Sequence, residues 1–368
     1  MKRIECLVAV PILALGSVFG TVGDEGPVRI GLGDYLPELS FSFVLGEDDA
    51  RYLGLRAGEP LNLNKIDADL VIIELFITQC FKCEKQVPIY EEAFKAVSSD
   101  SEIRDRVAFI GIGIGNSITS VRAFKETHSV SFPLVPDDSL SAFKQLGEPG
   151  RAPYTLFARK TEDGRRLVVS THGGPFRSAK DLLDEIRVTL EYELSLIRGE
   201  PRMQEVAQDI ECVISAEEIR RLITQTVDTL SGKTRRIDLV KLKSKDSVYV
   251  IRAGYGRQRR KLFAKLESRR TICGDCHDTH FVYVFDEVGK IVDFIPISLS
   301  KIANMDWDED DVEFMKDRLI GHSVLGGEGF DLEVDAVTGA TITSILIFDS
   351  LRNGKRLYQE LVAEGHLP

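Results

Sequence analysis

Two pairs of cysteines in this chain have the spacing that lets two thiols act on one another: Cys80-Phe81-Lys82-Cys83 and Cys273-Gly274-Asp275-Cys276. Such a pair can exchange disulfides, one sulfur attacking and the other resolving the mixed intermediate. The second pair runs on into His277-Asp278-Thr279-His280, and three chemistries are open to it. It can cycle as a dithiol. It can attach a c-type haem through both thiols, with His277 on the iron. Or Cys273, Cys276, His277 and His280 can hold zinc or iron. A third stretch, Asp335-Ala336-Val337-Thr338-Gly339-Ala340-Thr341, leads through Thr343 and Ser344 into the apolar run 345–351. Small residues at a helix start let backbone approach a phosphate, and hydroxyls add donors, although the same residues can simply cap the helix.

The first pair is positioned by two patterns. Val71 to Ile77 is an apolar run of central-strand type. After Thr78-Gln79, Val87, Tyr90, Phe94 and Val97 recur on one helical face. The cysteines therefore stand where a strand ends and a helix begins. Free backbone N–H groups, the helix dipole and Lys82 all favour a thiolate there. The expectation is an exposed, attacking Cys80 with a lowered pKa, and a resolving Cys83. The spacing alone also fits a metal half-site or a chance pair.

With its flanks the stretch resembles a thioredoxin active site. Glu74 stands six positions before Cys80, where thioredoxin carries a buried acid, and Pro88 stands five after Cys83, where it carries a helix-kinking proline. Gln79 replaces the usual tryptophan. Gly31 to Phe43 resembles the leading segment of redoxin-family and extracytoplasmic thioredoxin-like proteins, and Phe132 to Asp137 their FPLL-D turn. In Arg151-Ala152-Pro153-Tyr154, Pro153 matches the cis-proline that faces the CxxC and exposes the preceding backbone to a substrate strand. The resemblance implies catalytic roles for Cys80, Cys83, Glu74 and Pro153. Val107 to Ile114 and Val121 to His128 supply an extra strand and helix. Ser139 to Leu146 is a short helix, Glu162 to Gly164 a hairpin turn, Leu167 to Thr171 a strand and Ser178 to Leu196 a closing helix. A thiol peroxidase is the weaker enzyme reading, since Ile73 and Ile77 occupy the positions of that family's proline and hydroxyl residue.

The first domain is thus placed at residues 30–197, a linker with Gly199 and Pro201 at 198–204, and a second domain at 205–362. Asp335, Thr338, Gly339, Ala340 and Thr341 resemble the attachment motif of the FMN-binding domain in sodium-pumping NADH:quinone reductases and Rnf complexes. That likeness implies FMN esterified to Thr341 by a flavin transferase. Phe281 to Asp286 and Ile291 to Ile297 resemble that domain's strand–turn–strand. The fold class expected is an α/β thioredoxin-like fold, a central mixed sheet flanked by helices, followed by an α+β FMN-binding domain. A basic stretch from Arg257 to Arg270 reads as a solvated face, and Cys212 as a core residue.

The chain's 368 residues, 43% of them hydrophobic, allow about two globular domains. A net charge of −11 argues against nucleic acid as a partner. Residues 1–22 combine a basic start with an apolar run, as a signal peptide or membrane anchor does. Export places the chain outside the cytoplasm, in the periplasm or on the outer face of the cytoplasmic membrane, among redox partner proteins. The function expected is an exported thiol-disulfide oxidoreductase with flavin electron transfer. The alternative is a haem- or metal-carrying electron-transfer or maturation module.

Overall fold

The structure is a computed structural model that describes residues 29–39, 41, 43–197, 210–256, 259–274, 276–326, 331 and 334–367. The expected signal or anchor and the linker at 198–204 lie outside the described residues. None of the described helices is long and apolar enough to cross a membrane.

Every residue of β1 (Leu70–Phe76) is buried, as its unbroken apolar run dictates. It is preceded by α1 (Glu47–Tyr52) and followed by α2 (Phe81–Ser99), β2 (Val107–Ile114), α3 (Ile118–Thr127), β3 (Leu134–Asp137), α4 (Ser141–Gln145), β4 (Tyr154–Lys160), β5 (Arg166–Gly173) and α5 (Ala179–Glu191). The sheet order is β3-β2-β1-β4-β5. Strands β1, β2 and β3 are parallel, and β4 and β5 run antiparallel to their neighbours. This is the mixed sheet flanked by helices expected from the sequence. The expected turn at Phe132 to Asp137 is largely an edge strand instead, because Leu134 and Val135 are buried against β2.

Helix α2 buries Val87, Tyr90 and Val97 on the predicted face. Tyr90 meets Phe109, Phe132 and Phe176 there, with ring centroids 6.0–6.4 Å apart. Arg166 is fully buried. It donates to the carbonyls of Leu63 (2.8 Å), Ile66 (2.5 Å) and Ala68 (3.1 Å), tying the segment before β1 to the far edge of the sheet.

The second domain contains α6 (Ala216–Ser231), β6 (Thr234–Lys241), β7 (Ser247–Ala253), β8 (Arg260–Arg269), β9 (Thr279–Asp286), β10 (Ile291–Ser298), α7 (Glu309–Leu319), α8 (Thr341–Arg352) and α9 (Gly354–Ala363). Its strands form an antiparallel meander. Alternation buries both faces. Ile219, Ile223 and Val227 of α6 cover Ile251, Val282 and Val284, while Phe263, Phe281 and Phe285 pack with Met315, Ile347 and Leu361 of α7, α8 and α9.

The basic stretch is not uniformly solvated. Much of it lies in β8, where alternation turns Lys265 and Arg269 inward. Lys265 pairs with Asp246 at 3.1 Å and Arg269 with Asp349 at 2.8 Å. Cys212 is half-buried and packs beside α6.

Candidate redox site at the domain junction

Cys80 is the N-cap of α2, and its carbonyl accepts the first helical hydrogen bond, from Glu84 N at 3.0 Å. Cys83 lies one turn along. The junction expected from the sequence is present, but the expected exposure of Cys80 is not. Both thiols are 1% exposed. The Cys80 thiol is also raised rather than lowered. Hydrogen bonding with Cys273 is the largest cause, followed by hydrogen bonding with Cys83 and burial. The physical reason is a lid that no local pattern reveals: the second CxxC sits on the first.

Segment 272–273 reaches Cys80 by pairing with the chain before β4. Ala152 N donates to Ile272 O at 2.9 Å, and Ala152 and Cys273 form a parallel bridge. The Ala152–Pro153 peptide is cis, as the resemblance implied for Pro153. Cys80 Sγ lies 3.9 Å from Ala152 O. A Cβ on Gly274 would stand 3.2 Å from that same oxygen, so a glycine permits the close approach. Arg151 Nη2 reaches Asp278 Oδ1 at 3.0 Å, and that oxygen also accepts from Thr271 N. Cys273 is 5% exposed, while Cys276 is half-buried against the first domain's core. None of the described cysteines is in a disulfide.

Glu74 is 5% exposed, and burial pushes its carboxyl up to about 8. Across the sheet it is in register with Thr155, whose hydroxyl is 2.6 Å from Tyr90 Oη. Burial raises the Tyr90 phenol, and Glu74 and Cys83 both add to that rise. Tyr90 thus lies near enough to feel both Glu74 and Cys83.

His277 is exposed, and its backbone N–H donates to Asn304. His280 is buried, with Nδ1 2.9 Å from Ser268 Oγ, and burial lowers its pKa. Among the described residues, no group of three or more His, Cys, Asp and Glu is gathered as a metal cradle.

The Asp335–Thr341 stretch meets the same junction. Thr341 opens α8, half-buried, and its Oγ1 accepts from Gln79 Nε2 at 3.2 Å. Gly339 turns the chain at φ +72°, and no side chain caps the helix. A hydroxyl held, among the described residues, only by Gln79, at a helix start that no side chain caps, suits a phosphoester. Thr338 is exposed. Thr343, expected at the cofactor, is turned into the fold: it is buried and donates to Ser300 O at 2.7 Å. Ser344 accepts from Val337 N, and Asp335 from Asp331 N.

Around these contacts the domains share a core. Ile272, Ile342, Ile345 and Leu346 join the first domain's cluster. Gly115 leaves room for α8, since a Cβ there would meet Ile342 at 3.3 Å. Asp349, fully buried, pairs with Lys144 of the first domain and Arg269 of the second. Burial pushes its carboxyl up, but the two cations outweigh that and hold it below its usual range. Sequence reading missed this junction. The available signals were an Asp inside an apolar helix and the glutamine before Cys80.

No family model matches the chain, and a comparison with curated proteins gives no match. Solved structures align with part of it. StoA from Bacillus subtilis is 21% identical over 34% of this chain and 88% of its own, with a TM-score of 0.28. A thioredoxin-family thiol:disulfide interchange protein from Chlorobium tepidum is 21% identical over 43% and 97%, at 0.32. A secreted Mycobacterium tuberculosis disulfide oxidoreductase, described as homologous to E. coli DsbE, is 16% identical over 36% and 90%, at 0.29. The strand order β3-β2-β1-β4-β5, with the CxxC at the β1–α2 junction, gives the first domain a thioredoxin-like fold.

Proposed function

We propose that this chain is an extracytoplasmic thiol-disulfide oxidoreductase that exchanges disulfides at Cys80 and Cys83, and that its second domain carries FMN on Thr341. One observation supports the exchange above all others. The Ala152 backbone beside Cys80 already pairs with a strand-like segment that carries a cysteine, Cys273. Cys80 attacks an incoming disulfide, and Cys83 then attacks Cys80 and releases the partner's thiol. A carboxyl near 8, such as Glu74, exchanges its proton readily at neutral to mildly alkaline pH, which suits a group accepting the Cys83 proton.

The flavin half is supported by the hydroxyl of Thr341 at an uncapped helix start, next to Gln79. Bound there, FMN would link one-electron carriers to two-electron dithiol chemistry. Gln79 would orient the Thr341 side chain, and Gly339 would leave room for the phosphate. Redox partner proteins and a flavin transferase are the partners this reading requires.

Two measurements test it. The reduced chain is expected to reduce a protein disulfide, with turnover lost in Cys80→Ser and a mixed disulfide accumulating in Cys83→Ser. Absence of both effects rejects the exchange. Co-expression with a flavin transferase is expected to give a band with flavin fluorescence on a denaturing gel, lost in Thr341→Ala and kept in Thr338→Ala. A dark wild-type band rejects covalent flavin.

A further inference from the structure

Among the features the proposed function leaves unused, the second CxxC stands out by its position. We infer that Cys273 and Cys276 are a tethered redox partner of Cys80 and Cys83, docked in the first domain's own substrate groove, and that the two pairs exchange a disulfide through a Cys80–Cys273 bond. The inference rests on the reading of Cys80–Cys83 as an exchanging pair and deepens it by naming a partner within the chain.

Three observations carry it. First, backbone pairing between Ala152 and segment 272–273 is the way an extended substrate adds to an exposed strand end. Second, the pairing sets Cys273 beside Ala152, whose carbonyl oxygen is 3.9 Å from Cys80 Sγ, and hydrogen bonding with Cys273 is the largest cause of the raised Cys80 thiol. Third, the docked segment is held on either side, by Arg151–Asp278 and by the buried Asp349 with its two cations. A solvated loop in chance contact would have neither a shared apolar core nor a buried ion cluster.

The step balances within the chain. Take Cys273–Cys276 as the disulfide and Cys80 and Cys83 as thiols. The Cys80 thiolate attacks Cys273 Sγ. The 80–273 bond forms, the 273–276 bond breaks, and Cys276 leaves as a thiolate that takes up a proton. Cys83, having lost its proton, then attacks Cys80 Sγ. The 80–83 bond forms, the 80–273 bond breaks, and Cys273 leaves and is protonated. Two electrons and two protons have passed from the first pair to the second, and the reverse sequence passes them back.

The test uses the full chain. In Cys83→Ser/Cys276→Ser, mild oxidation with diamide is expected to give an intramolecular Cys80–Cys273 link, found by non-reducing peptide mapping, at a rate independent of protein concentration. In Cys83→Ser/Cys273→Ser the corresponding Cys80–Cys276 link is expected to form at least tenfold more slowly. As a functional readout, dithiothreitol is added to the fully oxidised chain. Reduction of the Cys273–Cys276 disulfide is expected to slow at least tenfold in Cys80→Ser. An unchanged reduction rate, a link that forms only between chains, or preferential linkage through Cys276 overturns the inference. The parent reading is checked separately in Cys273→Ser/Cys276→Ser. If Cys80 and Cys83 still exchange with dithiothreitol there while the trap fails to form, the inference alone falls. If they do not exchange, the parent reading falls too.

Discussion

Replacing Glu74 with Gln isolates the cost of a buried acid beneath a dithiol. Burial moves the Glu74 carboxyl from 4.5 to about 8. A carboxyl raised in the fold binds protons that the unfolded chain releases, so stability falls as pH rises between the two values. Between pH 5 and 8 linkage gives a loss of about 3 to 4 kcal/mol, and above pH 8 the total loss levels off at about 5 kcal/mol. Gln has nearly the same shape and does not titrate. Urea unfolding of the reduced chain, followed by circular dichroism from pH 4 to 9, should therefore give two diverging curves. They agree near pH 4, and Glu74→Gln is the more stable by several kcal/mol at pH 8. The wild type should also show an infrared band of a protonated carboxyl at pH 6 that the variant lacks. Disulfide exchange should slow in Glu74→Gln, chiefly near pH 8 where the carboxylate is available. Parallel stability curves, with no protonated carboxyl at pH 6, would refute the reasoning.

Two other perturbations follow from buried charge. Arg166→Met removes the donor to three buried carbonyls and should destabilise the first domain by about 3 kcal/mol or more, read from thermal unfolding. Asp349→Asn leaves Arg269 and Lys144 without their shared carboxylate and should weaken the domain junction by about 3 kcal/mol. The readout is faster hydrogen exchange in 342–350. Because the Asp349 pKa is depressed in the fold, its contribution is complete above the ordinary value of 3.8 and is lost as pH falls through the lower folded value. The wild-type junction should therefore be constant from pH 5 to 8.

Local patterns made the first site legible. An apolar run fixes β1, a helical face fixes α2, and their junction fixes the cysteines. Pro153 was legible through its resemblance to the thioredoxin cis-proline, and the start of α8 through the small residues Gly339 and Ala340 ahead of an apolar run. The burial of Cys80 was not, because its cover comes from Cys273, far away in sequence. A CxxC next to a histidine has the same local pattern whether it holds a metal or docks on a thiol. Arg166 gave no signal either, since its partners are backbone carbonyls and carbonyls have no residue type. Lys265 and Arg269 were misread because charge suggested solvent, whereas strand alternation and two carboxylates decided their direction.

The segment on Cys80 also bears on rivals from outside. It is joined covalently to the groove it occupies, so its effective concentration there is set by the chain, on the order of millimolar for a short tether. A foreign disulfide at micromolar concentration, with equal intrinsic affinity for the Ala152 backbone, would hold the groove roughly one-thousandth of the time. If Cys80 and Cys83 exchange with other proteins as proposed, that exchange would wait on release of the segment, and the buried Asp349, paired with Lys144 and Arg269, would help to set its rate.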